Sequence, residues 1–221
     1  MNPHIQLRNN GDIRQYPVNS IYCVGRNYLE HAQEMQSKLP AAPIIFLKPN
    51  SAVVTSETSL VFPKEKGQVH HEVELVVRIS QDGRRIDKRE AWNYVDSYCV
   101  GIDFTLRDLQ SDLKSKSLPW LLSKGFDQSA AVTEFQPIES PETFESLEFY
   151  LEKNGKLKQD GHSNEMVFDV PTLLAFLSRT ITLREGDLIY TGTPSGVGPV
   201  RSGDEVTIGI KGQETATFTI G

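Results

Sequence analysis

Apolar and polar positions alternate most regularly between residues 70 and 79. His71, Val73, Leu75, Val77 and Ile79 fall on one side, and His70, Glu72, Glu74 and Val76 on the other, as successive side chains of a strand do. Val, Leu and Ile crowd the second half, which fits strand propensity. A second strand is predicted over residues 98–105, with Asp103 lying where it gives way to a helix. Short buried runs at residues 21–24, 44–48, 52–54, 129–133 and 188–190 read as further strands. Residues 146–153 alternate cleanly, and Asn154-Gly155 beyond them is a strong hairpin turn. Residues 205–210 and 215–220 complete the set, and the first twenty residues predict a hairpin turning at Asn9-Asn10-Gly11-Asp12.

Helical spacing is rarer. One helix is predicted over residues 28–36, stopped by Lys38-Leu39-Pro40, and another over 87–95 with Trp92 and Val95 pointing inward. Over residues 105–116, Leu106, Leu109 and Leu113 recur at spacings of three and four. Pro171 opens a helix over residues 172–177, as a first-turn proline can. No repeat, low-complexity tract or linker interrupts residues 1–221. The pattern predicts a single β-rich α+β domain of about ten short strands.

Composition narrows the field. The chain has 221 residues, enough for a substantial core, and 38% hydrophobic with 24% charged residues is ordinary for a globular protein. There is no apolar run long enough for a membrane span and no apolar signal core at the start, so a cytoplasmic protein is expected. Cys23 and Cys99, with no Cys-x-x-Cys spacing, predict reduced thiols rather than a disulfide framework or a zinc site. A net charge of -6 argues against a nucleic-acid surface. It does not exclude an anionic substrate, because local cations dominate inside a cleft.

Candidate chemistry begins with Glu72 and Glu74. Two carboxylates on one face of an apolar strand repel each other. Either the strand is a half-solvated edge whose glutamates face water, or a hard divalent cation such as Mg²⁺, Mn²⁺ or Ca²⁺ draws them together. Asp103 at the next strand end would complete a three-carboxylate site with positions left for water or substrate oxygens. His31 and Glu34, three residues apart, share a helix face. They are either an incidental surface ion pair or a histidine oriented by a carboxylate as a general base. Residues 191–198, Thr-Gly-Thr-Pro-Ser-Gly-Val-Gly, can present amides and a hydroxyl to an anion, or can be an ordinary turn. Lys48, at a strand end, reads as solvent-facing and is not counted with the site.

His70-His-Glu-Val-Glu-Leu, followed by Gly101-Ile-Asp-Phe-Thr-Leu-Arg-Asp, resembles the fumarylacetoacetate hydrolase family. Val24-Gly-Arg-Asn-Tyr, Phe46-Leu-Lys-Pro and the loop at 191–198 also match, in family order. The resemblance is to the short, single-domain branch. It implies a mixed β-roll or sandwich with a few peripheral helices, and a homodimer. It also implies Mg²⁺ or Mn²⁺ on Glu72, Glu74 and Asp103, and a mobile lid at residues 27–40 carrying His31 and Glu34. Lys124 is implied to bind a carboxylate or developing oxyanion, Gln110 to hydrogen-bond the substrate, and Gly192 and Thr193 to line the pocket. Arg26 and Arg107 are candidates for a second carboxylate, since guanidinium suits bidentate binding. The implied partner is a small α-keto acid. The implied activity is metal-dependent cleavage of a C–C bond in α-keto or β-dicarbonyl carboxylates, as an acylpyruvate hydrolase or oxaloacetate decarboxylase. Keto–enol isomerisation, of oxaloacetate or of a hydroxy-heptadienedioate type, and non-catalytic metal-dependent binding are the alternatives.

Overall fold

The run predicted as one strand between residues 70 and 79 folds as two, and the break sets the architecture. Val69–His71 pairs with Gly198–Val200 and Thr105–Leu106 in a three-stranded sheet, whereas Val73–Ile79 joins the large sheet beside Val95–Asp103. Both neighbouring strands therefore change sheets at one level, the first before Val73 and the second after Asp103. The structure is a computed structural model and describes residues 3–9, 11–55, 59–213 and 215–221.

The eight-stranded sheet runs Ile45–Lys48, Ile21–Val24, Leu188–Tyr190, Val73–Ile79, Val95–Asp103, Ala130–Val132 and Val53–Thr55, with Gln136–Pro137 also pairing to Val95–Asp103. It is mixed: Leu188–Tyr190 lies parallel to Ile21–Val24, and Ala130–Val132 parallel to Val53–Thr55. Val73–Ile79 is thus a central strand and is buried along its whole length. On one side Val73, Leu75, Val77 and Ile79 pack with Phe149, Leu151, Val206 and Ile208 of a four-stranded antiparallel sheet. That second sheet contains the hairpin of Glu148–Lys153 and Lys156–His162, whose turn residues Asn154 and Gly155 have φ of 53° and 70° as the two-residue turn requires. On the other side Val76 packs with Cys23, Cys99 and Tyr190, under the N-terminal hairpin of His4–Asn9 and Asp12–Pro17. Asn10 of that hairpin's turn lies outside the described residues. Two apolar layers on opposite faces leave no room for a water-facing edge, so the solvated reading of the Glu72/Glu74 face is excluded.

Helices are short and peripheral. The helix expected over residues 28–36 is Leu29–Glu34, and that over 105–116 is Arg107–Ser115. Asp169 caps Val170–Ser178 by accepting from the Thr172 amide at 2.8 Å. Residues 87–95 were expected to be α-helical, but Lys88–Tyr94 is a 3-10 helix in which Ala91 is the buried residue and Trp92 packs more loosely, against Phe144. Pro141–Glu145 and Leu121–Lys124 are helices too short for a 3.6-residue period to register. Both cysteines are buried free thiols. Among the described residues no helix is long and apolar enough to cross a membrane.

Candidate active site

The change of sheets is what gathers the carboxylates. Val73 pairs with Ile102 and Glu74 with Gly101, so Glu72 stands opposite Asp103, whose amide donates to the Glu72 carbonyl at 2.8 Å. Opposed residues of an antiparallel pair share a face, which puts all three acids on one side. Gly101, opposite Glu74, has no room for a side chain. A Cβ there would sit 2.8 Å from the Ala131 carbonyl and 2.9 Å from Tyr190 and Val76. Oxygens of Glu72, Glu74 and Asp103 lie within 4.8 Å of one another, and the three residues are only 5%, 1% and 1% exposed.

Cations answer this charge unevenly. Lys124 Nζ donates to Glu72 Oε2 at 2.8 Å, Asp103 Oδ2 at 2.6 Å and Thr105 Oγ1 at 2.6 Å. Arg107 pairs with Glu72 Oε1 and donates to Gln110 Oε1 at 2.7 Å. Burial alone would push the Glu72 carboxyl up, but Lys124, Arg107 and His31 together hold it well below the usual carboxylate range. Burial would lower Lys124, yet Asp103 and Glu72 raise it. Glu74 differs. Burial, then Asp103 and Glu72, push its carboxyl well above the usual range, against a hydrogen bond from the Gly192 amide at 2.7 Å and the charge of Lys124. A buried carboxylate with a backbone amide as its hydrogen-bond partner and, among the described residues, no ion pair is costly unless protonated or joined by a cation. Three converging carboxylates are a hard, all-oxygen donor set, which fits Mg²⁺ or Mn²⁺.

Lys48 is the residue that sequence reasoning left out. It is 2% exposed, and its ammonium lies 2.8 Å from Asp103 Oδ1. That contact is an ion pair without hydrogen-bond alignment, because Oδ1 itself has no hydrogen-bond partner. The lysine donates instead to the carbonyls of Phe104, at 3.2 Å, and Lys124. It therefore fixes the backbone carrying Lys124 as well as the charge on Asp103.

A cavity of about 220 Å³ opens over this corner, lined among others by Arg26, His31, Glu72, Arg107, Gln110 and Lys124. Glu74 and Asp103 do not line it, and Glu34 stands behind His31. His31 Nδ1 is 3.3 Å from Glu34 Oε2, and since a carboxylate can only accept, Nδ1 carries the proton and Nε2 is left as acceptor. Burial lowers the His31 pKa below the usual histidine value, although Glu72 and Glu34 raise it. Glu34 also accepts from the Gly196 amide at 3.1 Å, and Ser195 Oγ donates to Glu30 Oε2 at 3.0 Å, so helix Leu29–Glu34 is docked on the loop at 191–198. A larger depression of about 710 Å³, with Arg8, Tyr98, Glu134 and Gln213 in its lining, contains none of these site residues.

Gly192 and Thr193 do not line the small cavity either. The Gly192 amide is directed at Glu74, and the residue has φ +102° with no room for a Cβ, which would lie 2.7 Å from the Asn27 Cβ. Thr193 Oγ1 accepts from Gln159 Nε2 at 2.8 Å, while Gln159 Oε1 lies 2.9 Å from His71 Nδ1 and accepts from the Val73 amide at 3.0 Å. Asn27, fully buried, donates to the carbonyls of Thr191 at 2.8 Å and Phe168 at 2.9 Å. Gln159 and Asn27 are buried positioning groups that no local pattern singles out; Asn27 was visible only as part of Val24-Gly-Arg-Asn-Tyr.

The family model for the fumarylacetoacetate (FAA) hydrolase C-terminal region matches residues 20–220. The chain belongs to this family. Oxaloacetate decarboxylase, mitochondrial, of Dictyostelium discoideum is 44% identical over 196 residues, 88% of this chain and 90% of that protein. Human oxaloacetate tautomerase, mitochondrial, is 40% identical over 201 residues, 91% of each. Fumarylpyruvate hydrolase from Pseudomonas aeruginosa, solved in complex with Mn²⁺ and pyruvate, superposes with a TM-score of 0.91 at 34% identity, covering 98% of this chain and 95% of that one. The strand-rich fold is that of the fumarylacetoacetate hydrolase family, as the resemblance implied. This family member's relatives are enzymes of small carboxylate substrates, and their names span decarboxylase, tautomerase and hydrolase.

Proposed function

We propose that this chain is a divalent-metal-dependent enzyme that cleaves a C–C bond in a small α-keto acid, with oxaloacetate decarboxylation or acylpyruvate hydrolysis as its reaction. The observation that carries the reading is the buried set Glu72, Glu74 and Asp103 beneath a small polar cavity that also receives His31. Those three carboxylates would hold Mg²⁺ or Mn²⁺. When bound, such an ion supplies Lewis acidity to a carbonyl and carboxylate presented side by side.

The chain's own residues do the rest. Lys124, fixed by Thr105 and by Lys48 through its carbonyl, offers a positive charge to oxygen that becomes negative in the transition state. Gln110, buried and ordered by Arg107, is placed to hydrogen-bond the substrate. His31, neutral because burial lowers its pKa and with Nε2 as acceptor, takes a proton from water in hydrolysis or moves one on the substrate carbon. Glu34 fixes that tautomer. The Gly192 amide orients Glu74, and Thr193, held by Gln159, keeps the loop that carries it in place. Closure of residues 27–40 would exclude water. Following the family resemblance, the working unit is a homodimer.

A second reading, keto–enol tautomerisation of oxaloacetate, is favoured by the human relative and by the His31–Glu34 pair, since that reaction needs a proton carrier and no water. The test is one panel: keto and enol oxaloacetate, acetylpyruvate and fumarylpyruvate, each with Mg²⁺, with Mn²⁺ and with EDTA. Carbon dioxide release or acylpyruvate cleavage that EDTA abolishes and metal restores is expected. Enol loss without either product would replace the proposal by the second reading, and metal-independent carbon dioxide release or acylpyruvate cleavage would overturn the first.

A further inference from the structure

The cavity over the carboxylates carries more positive charge than those carboxylates engage. Lys124 and Arg107 are committed to Glu72 and Asp103. Arg26 and Lys114 line the same cavity, and among the described residues neither pairs with a carboxylate. Arg26 donates to the Lys38 carbonyl at 3.2 Å. Lys114 holds its ammonium 4.8 Å from the centre of the Trp120 ring. Both are half-buried, whereas Lys124, Gln110 and Glu72 are buried, so these two cations lie nearer the opening.

Helix Arg107–Ser115 organises this gradient. Arg107, Gln110, Ser111 and Lys114 fall at spacings of three and four, one stripe that lines the cavity from its floor outward. Helical side chains lean toward the N-terminus, so Lys114 reaches back over the space above Arg107. Burial, with Arg107, Arg26 and Lys124 around it, lowers the Lys114 pKa to about 8, a sign of how crowded with positive charge the opening is. An α-keto monocarboxylate has one anionic end, and the metal-site corner already receives it. What remains is an unmatched ammonium and guanidinium at the far end of a small cavity.

We propose that Lys114, assisted by Arg26, is a specificity-determining residue that receives the distal carboxylate of a dicarboxylic α-keto acid. This rests on the α-keto acid reading above and adds that the substrate carries a second carboxylate. The Trp120 ring faces the Lys114 ammonium, so the charge is offered without much loss of side-chain freedom.

The test uses the metal-loaded protein and the variants Lys114→Met and Lys114→Arg. Oxaloacetate is compared with acetylpyruvate, which lacks the second carboxylate. The ratio of kcat/KM for oxaloacetate over that for acetylpyruvate should fall on the order of 10–100-fold in Lys114→Met, mainly through KM, and recover in Lys114→Arg. A second arm reads binding alone. In calorimetry on the Mn²⁺-loaded protein, malate is compared with 2-hydroxybutyrate, which has a methyl in place of the distal carboxylate. Wild type should prefer malate, and Lys114→Met should lose about tenfold of that preference. An unchanged malate preference, or one absent from the wild type, would overturn the proposal even if the enzyme turned over both keto acids. Absence of turnover on either substrate, with the malate preference present and Lys114-dependent, would instead count against the proposed reaction and leave this subsite standing.

Discussion

The floor and the mouth of the cavity are built on opposite principles. Glu74 and Asp103 sit on two central strands and Glu72 at the break beside them, where ladder pairing and two apolar layers hold the backbone. The mouth is made by a six-residue helix, Leu29–Glu34, and by the half-exposed face of Arg107–Ser115. The first helix has no side-chain cap at its N-terminus and exposes Leu29, at 52%. A helix that short is not stable by itself, so its position depends on docking. The contrast gives a physical reason why relatives named decarboxylase, tautomerase and hydrolase share one fold. On the reading proposed above, the floor would polarise the substrate oxygens, while the mouth would decide which proton, water or distal group meets them.

Breaking the floor should have the largest effect. Glu74→Ala removes one of the three carboxylates proposed to hold the metal, so metal binding by calorimetry and turnover should be lost together. Persistence of either would separate the triad from the metal. Lys48→Met should act differently. Losing one member of a buried ion pair costs about 3–5 kcal/mol, so denaturant unfolding should show a large loss of stability. Metal affinity should hold or rise, because a positive charge beside Asp103 has gone. A fall in metal affinity matching that of Glu74→Ala would make Lys48 part of the metal site rather than its support.

Moving outward, His31→Ala should lower the rate on the order of 10²–10⁴-fold, the usual worth of positioned acid–base catalysis, without changing metal affinity. The pH profile sharpens this. His31 must be neutral to accept a proton, and burial lowers its pKa, so the acid limb should lie below the usual histidine value. Glu34 raises that pKa, hence Glu34→Gln should move the limb to still lower pH. An acid limb that stays put in Glu34→Gln, or survives in His31→Ala, would show that another group titrates.

The same contrast explains how much could be read from the chain. Glu72 and Glu74 stood out because a period of two on an apolar strand leaves acids conspicuous, and Asp103 because it ends a strand. The corner between them was hidden: the alternation continues across residues 70–79, and only pairing to Thr105–Leu106 and Gly198–Val200 shows where the strand leaves the sheet. Lys48 read as solvated because a strand-end lysine is solvated unless something covers it. Here the cover is Phe104 and the segment around Lys124, 56 and 76 residues away. Gln159 meets His71 across 88 residues, and Asn27 meets Thr191 across 164. Neither carries a local signature. Gly192 and Thr193 were expected on the pocket wall, whereas the first is directed at Glu74 and the second at Gln159. A loop's composition shows that amides and hydroxyls are available, not which way they point.

The smallest effect tests the mouth most cleanly. Ser195 Oγ donates to Glu30 at an exposed site, and the Gly196 amide donates to Glu34 one turn on. Glu30→Ala removes the first contact and leaves the second, so the lid keeps its main anchor and His31 keeps its partner. An exposed hydrogen bond to a charged group is worth about 1 kcal/mol or less after solvent competition, which allows up to about a fivefold shift in the closed population. The expected result is a few-fold rise in KM, faster hydrogen exchange over residues 29–34, and unchanged metal affinity and unfolding midpoint. If Glu30→Ala instead lowered metal affinity or global stability, mouth and floor would not be energetically separate, and one rigid body would have to account for both.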